Sequence, residues 1–260
     1  MDASNPTGPH SPKIVLMRIL NLGCGAKTSS HPSGVNIDWS ILLRMRSNPI
    51  MRTLAPALLN GYRLERFNAL PSNILVHDLS RGIPFDDSSV DVVYHSHMLE
   101  HLDRDVAELF IAESRRVLRV GGVHRVVVPD FERYARAYLT HLDACSEDGE
   151  GEIARHDVFL EPLLLQSVRR EASGTSRQRT LRRFVENLLL GDARRRGETH
   201  QWMYDRFNLQ ALLERHGFCN VRVRSYDTSS VPEWDGLGLD SDNTHKEYKP
   251  ESLYIEASAC

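Results

Sequence analysis

The chain reads as an α/β protein, with a mostly parallel sheet of seven strands, helices on both faces and a helical insertion after the fifth strand. Three observations predict this. Short apolar runs such as Ile19-Leu20-Asn21-Leu22 and Val90-Asp91-Val92-Val93-Tyr94 alternate with stretches of helical periodicity. Those runs lack the strict alternation of a half-exposed strand, as strands buried on both faces do. The first of them ends abruptly in Gly23-Cys24-Gly25, a strand followed at once by a glycine turn.

Residues 1–16 are read as a flexible lead-in, and 17–260 as one domain. The first strand is Arg18 to Leu22 and the second Val35 to Asp38, separated by the nine residues Ala26 to Gly34. Ser29, Ser30, Pro32, Ser33 and Gly34 are loop chemistry, so a turn is expected where a crossover helix would usually lie. Leu42, Leu43, Met45, Met51, Leu54, Leu58 and Leu59 among arginines predict one or two amphipathic helices over 40–66, interrupted near Pro49. The third strand is Ile74 to Leu79, and the fourth is Val90 to Tyr94. Asp103 or Asp105 opens a helix through Val106, Leu109, Phe110, Val117 and Leu118, with Gly121-Gly122 as its stop. The fifth strand is His124 to Val128. Residues 131–205 turn helical and arginine-rich, and are read as an inserted cap. Asn208 then caps a helix through Leu209, Leu212 and Leu213 that stops at Gly217, and Val221 to Tyr226 and Ser252 to Ala257 supply the last strands.

Composition excludes several classes. A chain of 260 residues with 41% hydrophobic and 26% charged residues is an ordinary globular protein. A formal charge of -3 argues against a polyanionic main partner, so nucleic acid is not expected. Cys24, Cys145, Cys219 and Cys260 form no C-x-x-C pair and no metal-ligand spacing with the histidines. No metal is therefore expected, and a reducing cytoplasm is the simplest setting. No stretch approaches the roughly 18 apolar residues of a membrane span, and the N-terminus has no apolar region of signal type.

In an open α/β sheet, ligands bind beyond the carboxyl ends of the strands, where strand order reverses. At that edge the sequence places Gly23 and Gly25, whose bare backbone lets N–H groups approach a ligand. Asp38 ends the second strand, where a carboxylate accepts ribose hydroxyls, and Asp78 lies where it accepts from an exocyclic amine. His95, Ser96 and His97 follow the fourth strand. Each alone has a bland reading: a tight turn, a solvated strand end, a turn former. Their joint order describes a nucleoside-shaped ligand.

The motifs L-N-L-G-C-G at Leu20 to Gly25, V-N-I-D at Val35 to Asp38, H-D-L-S-R-G-I-P-F at His77 to Phe85, V-D-V-V-Y-H-S-H-M-L-E-H-L at Val90 to Leu102 and V-L-R-V-G-G at Val117 to Gly122 carry a resemblance. They resemble class I S-adenosylmethionine-dependent methyltransferases, the small-molecule group with a methyltransferase-11-like core. The resemblance implies a Rossmann-like fold and S-adenosyl-L-methionine as cofactor. By position it implies Gly23, Cys24 and Gly25 at the methionine part, Asp38 and Trp39 at the ribose, Asp78 and Leu79 at the adenine, and His95, Ser96 and His97 under the sulfonium. Two features depart from the pattern: the shortened loop after Gly25, and Val120 where a proline is frequent. A sulfonium cofactor has no pyrophosphate that needs a helix N-terminus, and the missing third glycine disfavours a nicotinamide dinucleotide.

Methyl transfer is an in-line displacement, so the acceptor atom must be held on axis near contact distance. A hydroxyl acceptor also needs a base, and histidine matches that need near neutrality. His97 and His200 are the candidates, with His101 more suited to packing. From Ser167 to Arg196 run nine arginines against Glu171, Glu186 and Asp192, either a solvated helical face or a cap presenting arginine to a phosphate or carboxylate. The expected acceptor is a small molecule, a sugar or secondary-metabolite hydroxyl, with anionic acceptors included. N- or C-methylation, an RNA or protein acceptor, and a non-methylating cyclase remain as alternatives, and a homodimer stays open.

Overall fold

The computed structural model describes residues 17–148, 155–166 and 199–260. The lead-in over 1–16 and the arginine-rich stretch, which falls within 167–198, lie outside the described residues.

Seven strands form one sheet: β1 (Ile19–Leu22), β2 (Gly34–Asp38), β3 (Ile74–Val76), β4 (Val90–Ser96), β5 (Leu118–Pro129), β6 (Phe218–Arg224) and β7 (Ser252–Ala259). Their order is β3-β2-β1-β4-β5-β7-β6. β1 to β5 pair in parallel, and β7 runs antiparallel between β5 and β6. The order reverses between β1 and β4, which makes their carboxyl ends the switch point where ligands bind. All four residues of β1 are buried, as a central strand requires.

No helix joins β1 to β2, as the loop chemistry of Ala26 to Gly34 predicts. Asparagines replace it. Asn21 Nδ2 donates to Lys27 O (2.9 Å) and to Asn36 Oδ1 (3.0 Å), and Asn36 in turn takes the N–H of Ser29 and donates to its carbonyl. These side chains satisfy buried loop groups that helical bonds would otherwise satisfy.

Between β2 and β3 lie α1 (Ile41–Ser47), α2 (Pro49–Leu58) and α3 (Gly61–Asn68), one helix more than expected. Pro49 does not merely interrupt. It opens α2 at its first turn, behind the Asn48 cap, where its missing N–H costs nothing. α4 (Arg104–Val117) buries Ala107, Phe110, Ile111, Ser114 and Val117, whereas Val106 and Leu109 are exposed. The predicted apolar face is thus shifted round the helix. Gly121-Gly122 do not stop α4, because β5 begins at Leu118 and the glycines lie inside it. A Cβ on Gly122 would sit 2.9 Å from Arg119 O and 3.0 Å from Asp91 O, so the irregular pairing with β4 there excludes any side chain.

After β5 come α5 (Phe131–Asp148) and α6 (His156–Gln166), which pack through the stacked rings of His141 and Phe159, 4.0 Å apart. α7 (Arg206–Arg215) is capped by Asp205, with Asn208 as the reciprocal partner of a capping box rather than the cap itself. α4 and α7 cover one face of the sheet, where Phe110, Ile111, Leu209 and Leu213 meet Leu20, Val93, Val126 and Ile255. Over β1, β4 and β5 the other face is covered by the β6–β7 connection, with Val231, Trp234, Leu237 and Leu239 packed on Ile19, Val92, Tyr94 and Val127. Helices were expected on both faces; here an irregular segment takes that place. Cys219 and Cys260 form a disulfide that ties β6 to the residue after β7, so two of the four cysteines are paired. Among the described residues no helix is long and apolar enough to cross a membrane.

Candidate active site

A cleft of about 200 Å³ opens at the carboxyl ends of β1 and β4. Residues 23–27, Ser96, His97, Tyr248 and Lys249 line it. Gly23 and Gly25 turn with φ of +62° and +53°, and the Cys24 N–H bonds Ile37 O at 3.1 Å, pinning the turn to β2. Nothing lies within 4 Å of where a Gly25 Cβ would be, so this backbone faces open space. Burial, reinforced by the nearby Asp38 charge, pushes the Cys24 thiol up to about 12, which makes it a neutral wall rather than a nucleophile.

Asp38 accepts the Gly25 N–H at 2.6 Å through Oδ2 and the Ser40 N–H at 2.9 Å through Oδ1. One carboxylate thereby joins the glycine turn to the end of β2 and keeps further lone pairs for a ligand. Trp39 is exposed, with the Arg44 guanidinium 4.7 Å over its ring. Asp78 caps the 3₁₀ turn Leu79–Arg81 through Ser80, and that hydrogen bond, with Arg81 nearby, holds its carboxyl below the usual range. Leu79 packs on the core. Asp38, Trp39, Asp78 and Leu79 lie along the same sheet edge, outside the lining of the cleft.

His95 is a correction. β4 alternates its side chains, so Tyr94 and Ser96 face the cleft while His95 points into the opposite layer, 0% exposed, with its ring edge-on to Phe110. Its Nε2 lies 3.1 Å from Nε2 of His124, and burial drives its pKa down to about 3, leaving a neutral core pair. Its side chain has no path to a ligand in the cleft.

Lys27, Tyr248 and Lys249 were not anticipated. Lys27 Nζ donates to Ser241 O at 2.6 Å and lies 4.4 Å over the Tyr248 ring, while burial lowers its pKa. The β6–β7 connection therefore closes the side of the cleft left open by the missing β1–β2 helix. Beneath it, Arg125 bonds Asp240 and Glu256 inside the core.

Beside His97 lies a second group. Glu100 is 1% exposed and neither of its carboxylate oxygens has a hydrogen-bond partner among the described residues. His97 Nδ1 is 3.5 Å and His101 Nε2 3.8 Å from its Oε1. The His200 ring meets that of His101 edge-on at 4.9 Å, and the backbone N–H groups of Gln201 and Trp202 bond Glu100 O, holding that strap over the carboxylate. Burial pushes Glu100 up to about 8 and, with Lys249, His200 and His101 nearby, His97 down to about 3. His97 consequently lacks the near-neutral basicity for which histidine was chosen. It also has φ +50°, a left-handed backbone that costs a non-glycine residue energy and is concentrated at functional sites. His97 lines the cleft, whereas His200 lies on the far side of Glu100 with Phe131 and Trp202. Contrary to the expectation of no metal-ligand spacing, ligand atoms of Glu100, His101 and His200, and separately of His141, Cys145 and His156, lie within 4.8 Å of one another.

Residues 20–126 match the sequence family described as a methyltransferase domain. No curated protein matches. Among solved structures, the chain is similar to a SAM-dependent methyltransferase from Archaeoglobus fulgidus at 12% identity and TM-score 0.40, over 94% of this chain and 86% of that one. A second, from Mesorhizobium loti, is similar at 15% identity and TM-score 0.40, over 95% and 93%. The match over residues 20–126 gives that stretch as a methyltransferase domain, built on the sheet order β3-β2-β1-β4-β5-β7-β6 with a glycine turn at its switch point.

Proposed function

We propose that the enzyme methylates an oxygen of a small-molecule acceptor, a sugar or secondary-metabolite hydroxyl. The observation that carries this reading is the run of the cleft from the glycine turn to His97, where it meets the buried group of Glu100, His101 and His200.

The residues fit the cofactor. Gly23, Cys24 and Gly25 would hold its methionine part, with Lys27 and Lys249 offering positive charge to the carboxylate. Asp38, beside Trp39, would take the ribose, and Asp78 with Leu79 the adenine. Ser96 and His97 would border the reacting centre. When bound, S-adenosylmethionine would supply an electrophilic methyl group and would keep the S–C bonding pair as a neutral thioether. The protein's own share is to orient the acceptor oxygen on axis, exclude water, and receive the hydroxyl proton at the buried group of Glu100, His101 and His200 that His97 borders.

Calorimetric titration with S-adenosylhomocysteine tests the cofactor site, and Asp38→Ala is expected to weaken binding by about 1.5–3 kcal/mol, the scale of a hydrogen bond to a charged group. Transfer of radiolabelled methyl into a metabolite extract tests the acceptor class. Label recovered only in protein or RNA would overturn the small-molecule reading, and unchanged affinity in Asp38→Ala would overturn the ribose role.

A further inference from the structure

We infer that Glu100, His101 and His200, with His97 at their edge, form a binding site for a first-row transition-metal dication of the zinc class, next to the acceptor end of the cleft. Its place in the reaction rests on the acceptor position proposed above; its existence as a site does not.

The argument begins with which nitrogen of each ring carries a proton. Ser252 Oγ donates its single proton to Lys249 O at 2.7 Å, so at its 2.8 Å contact with His97 Nε2 the hydroxyl must accept. His97 therefore carries its proton on Nε2 and turns the lone pair of Nδ1 toward Glu100. His101 Nδ1 contacts the Thr199 carbonyl at 3.2 Å, and a carbonyl only accepts. His101 is thus protonated on Nδ1 and turns the Nε2 lone pair toward the same carboxylate oxygen. Two imidazole lone pairs and a carboxylate converge on one buried place where only a positive charge between them is favourable.

A proton does not meet this need. Shared between Glu100 and one nitrogen it would draw them to about 2.6–3.2 Å and leave the other nitrogen facing oxygen. The separations are 3.5 and 3.8 Å. For ligand bonds of about 2.0–2.2 Å, tetrahedral geometry separates an imidazole nitrogen from a carboxylate oxygen by about 3.4 Å. His200 brings a third ring within 4.8 Å of both Glu100 and His101 ligand atoms. The far nitrogens of His97 and His101 are anchored to a hydroxyl and a carbonyl, the outer contacts that orient metal-ligating histidines. Imidazole and carboxylate together favour zinc, iron, manganese or cobalt over magnesium or calcium, which take oxygen sets. A dication here would place positive charge beside an oxygen acceptor as its negative charge develops.

The test uses the full chain, stripped with a chelator and titrated with Co²⁺, followed by visible absorption and by metal analysis after gel filtration, with Zn²⁺ and Mn²⁺ as competitors. One equivalent of Co²⁺ per chain is expected. Glu100→Gln and His101→Ala should each lose it, and Ser252→Ala should weaken it about 10–100-fold. Cys145→Ser, which removes the central ligand of the other cluster, should keep the equivalent. Failure of the wild-type chain to bind any of the three ions would overturn the inference, as would binding that survives Glu100→Gln or vanishes in Cys145→Ser. S-adenosylhomocysteine titration of the same samples shows that the variants are folded and separates the two readings. Cofactor binding without metal refutes this site alone, and metal without cofactor binding refutes the proposed function alone.

Discussion

Arg125 is the residue whose removal should cost the fold most. It is 0% exposed and uses all five of its N–H groups: Nε to Asp240 Oδ2 (2.7 Å), Nη1 to Glu256 Oε1 (2.8 Å) and Thr228 O (2.9 Å), Nη2 to Ser225 O (2.9 Å) and Tyr226 O (3.4 Å). Arg125→Met keeps much of the volume but strands the carboxylates of Asp240 and Glu256, 4% and 3% exposed. Asp240 would retain only the neutral donors Tyr94 and Trp234, while Glu256 keeps Arg224 and two serines. Breaking a buried pair in this way costs about 3–5 kcal/mol, and Asp240 should carry the larger share. Urea unfolding measures the loss, which should appear as a lower midpoint at constant slope. Adding Asp240→Asn should recover part of it, because the stranded charge is then gone. A loss below about 1 kcal/mol, the scale of an exposed ion pair, would refute the account. The same variant should also weaken S-adenosylhomocysteine binding, since Asp240 anchors the segment that delivers Tyr248 and Lys249 to the cleft.

Gly23→Ala would set a Cβ 2.5 Å from Met98 Sδ at φ +62°; a stability loss of about 1–2 kcal/mol is expected in urea unfolding, and a neutral outcome would contradict the turn geometry. Burial alone would raise the carboxyl of Glu256, but hydrogen bonds from Ser229 and Ser230 and the charge of Arg125 outweigh it and hold the group below its usual 4.5. The unfolded chain then binds more protons as pH falls, so this stabilisation is present above about 4.5 and lost as pH drops through the folded value. Glu256→Gln should accordingly flatten the acid limb of a stability–pH profile, and a limb as steep as wild type would count against it. On α4, Leu109→Gln should change stability by under about 0.5 kcal/mol, whereas Ile111→Ala should cost about 2–5 kcal/mol; equal losses would reverse the assignment of the buried face. Lys249→Ala should weaken S-adenosylhomocysteine about tenfold in calorimetry, the scale of one hydrogen bond to a charged group, and unchanged affinity would remove that lysine from the cofactor site.

What local pattern dictates was legible, and what depends on distant chain was not. Strand runs, the glycine turn and the absence of a β1–β2 helix follow from residues within a few positions of one another, and the structure has a strand at each run, although β3 ends at Val76 rather than Leu79 and β5 begins at Leu118 rather than His124. The buried face of α4 did not follow, because Val106 and Leu109 are as apolar as Phe110 and only the sheet beneath decides which of them it covers. Gly121-Gly122 resembled a helix stop for a similar reason: glycine serves a bulge against Asp91 as well as a C-cap, and the partner strand makes the choice. His95 illustrates the cost of treating the end of a strand as a unit. Alternation along β4 sends Tyr94 and Ser96 to the cleft and His95 to the core, and His97 reaches the cleft only because the strand ends at Ser96 and its own backbone turns left-handed. Glu100 is the sharpest case. In M-L-E-H-L it reads as one charge in an apolar run, and nothing local says that both its oxygens are buried without partners. Its chemistry becomes legible only through Thr199, 98 residues from His101, and Ser252, 155 residues from His97, because those contacts decide which imidazole nitrogens face it.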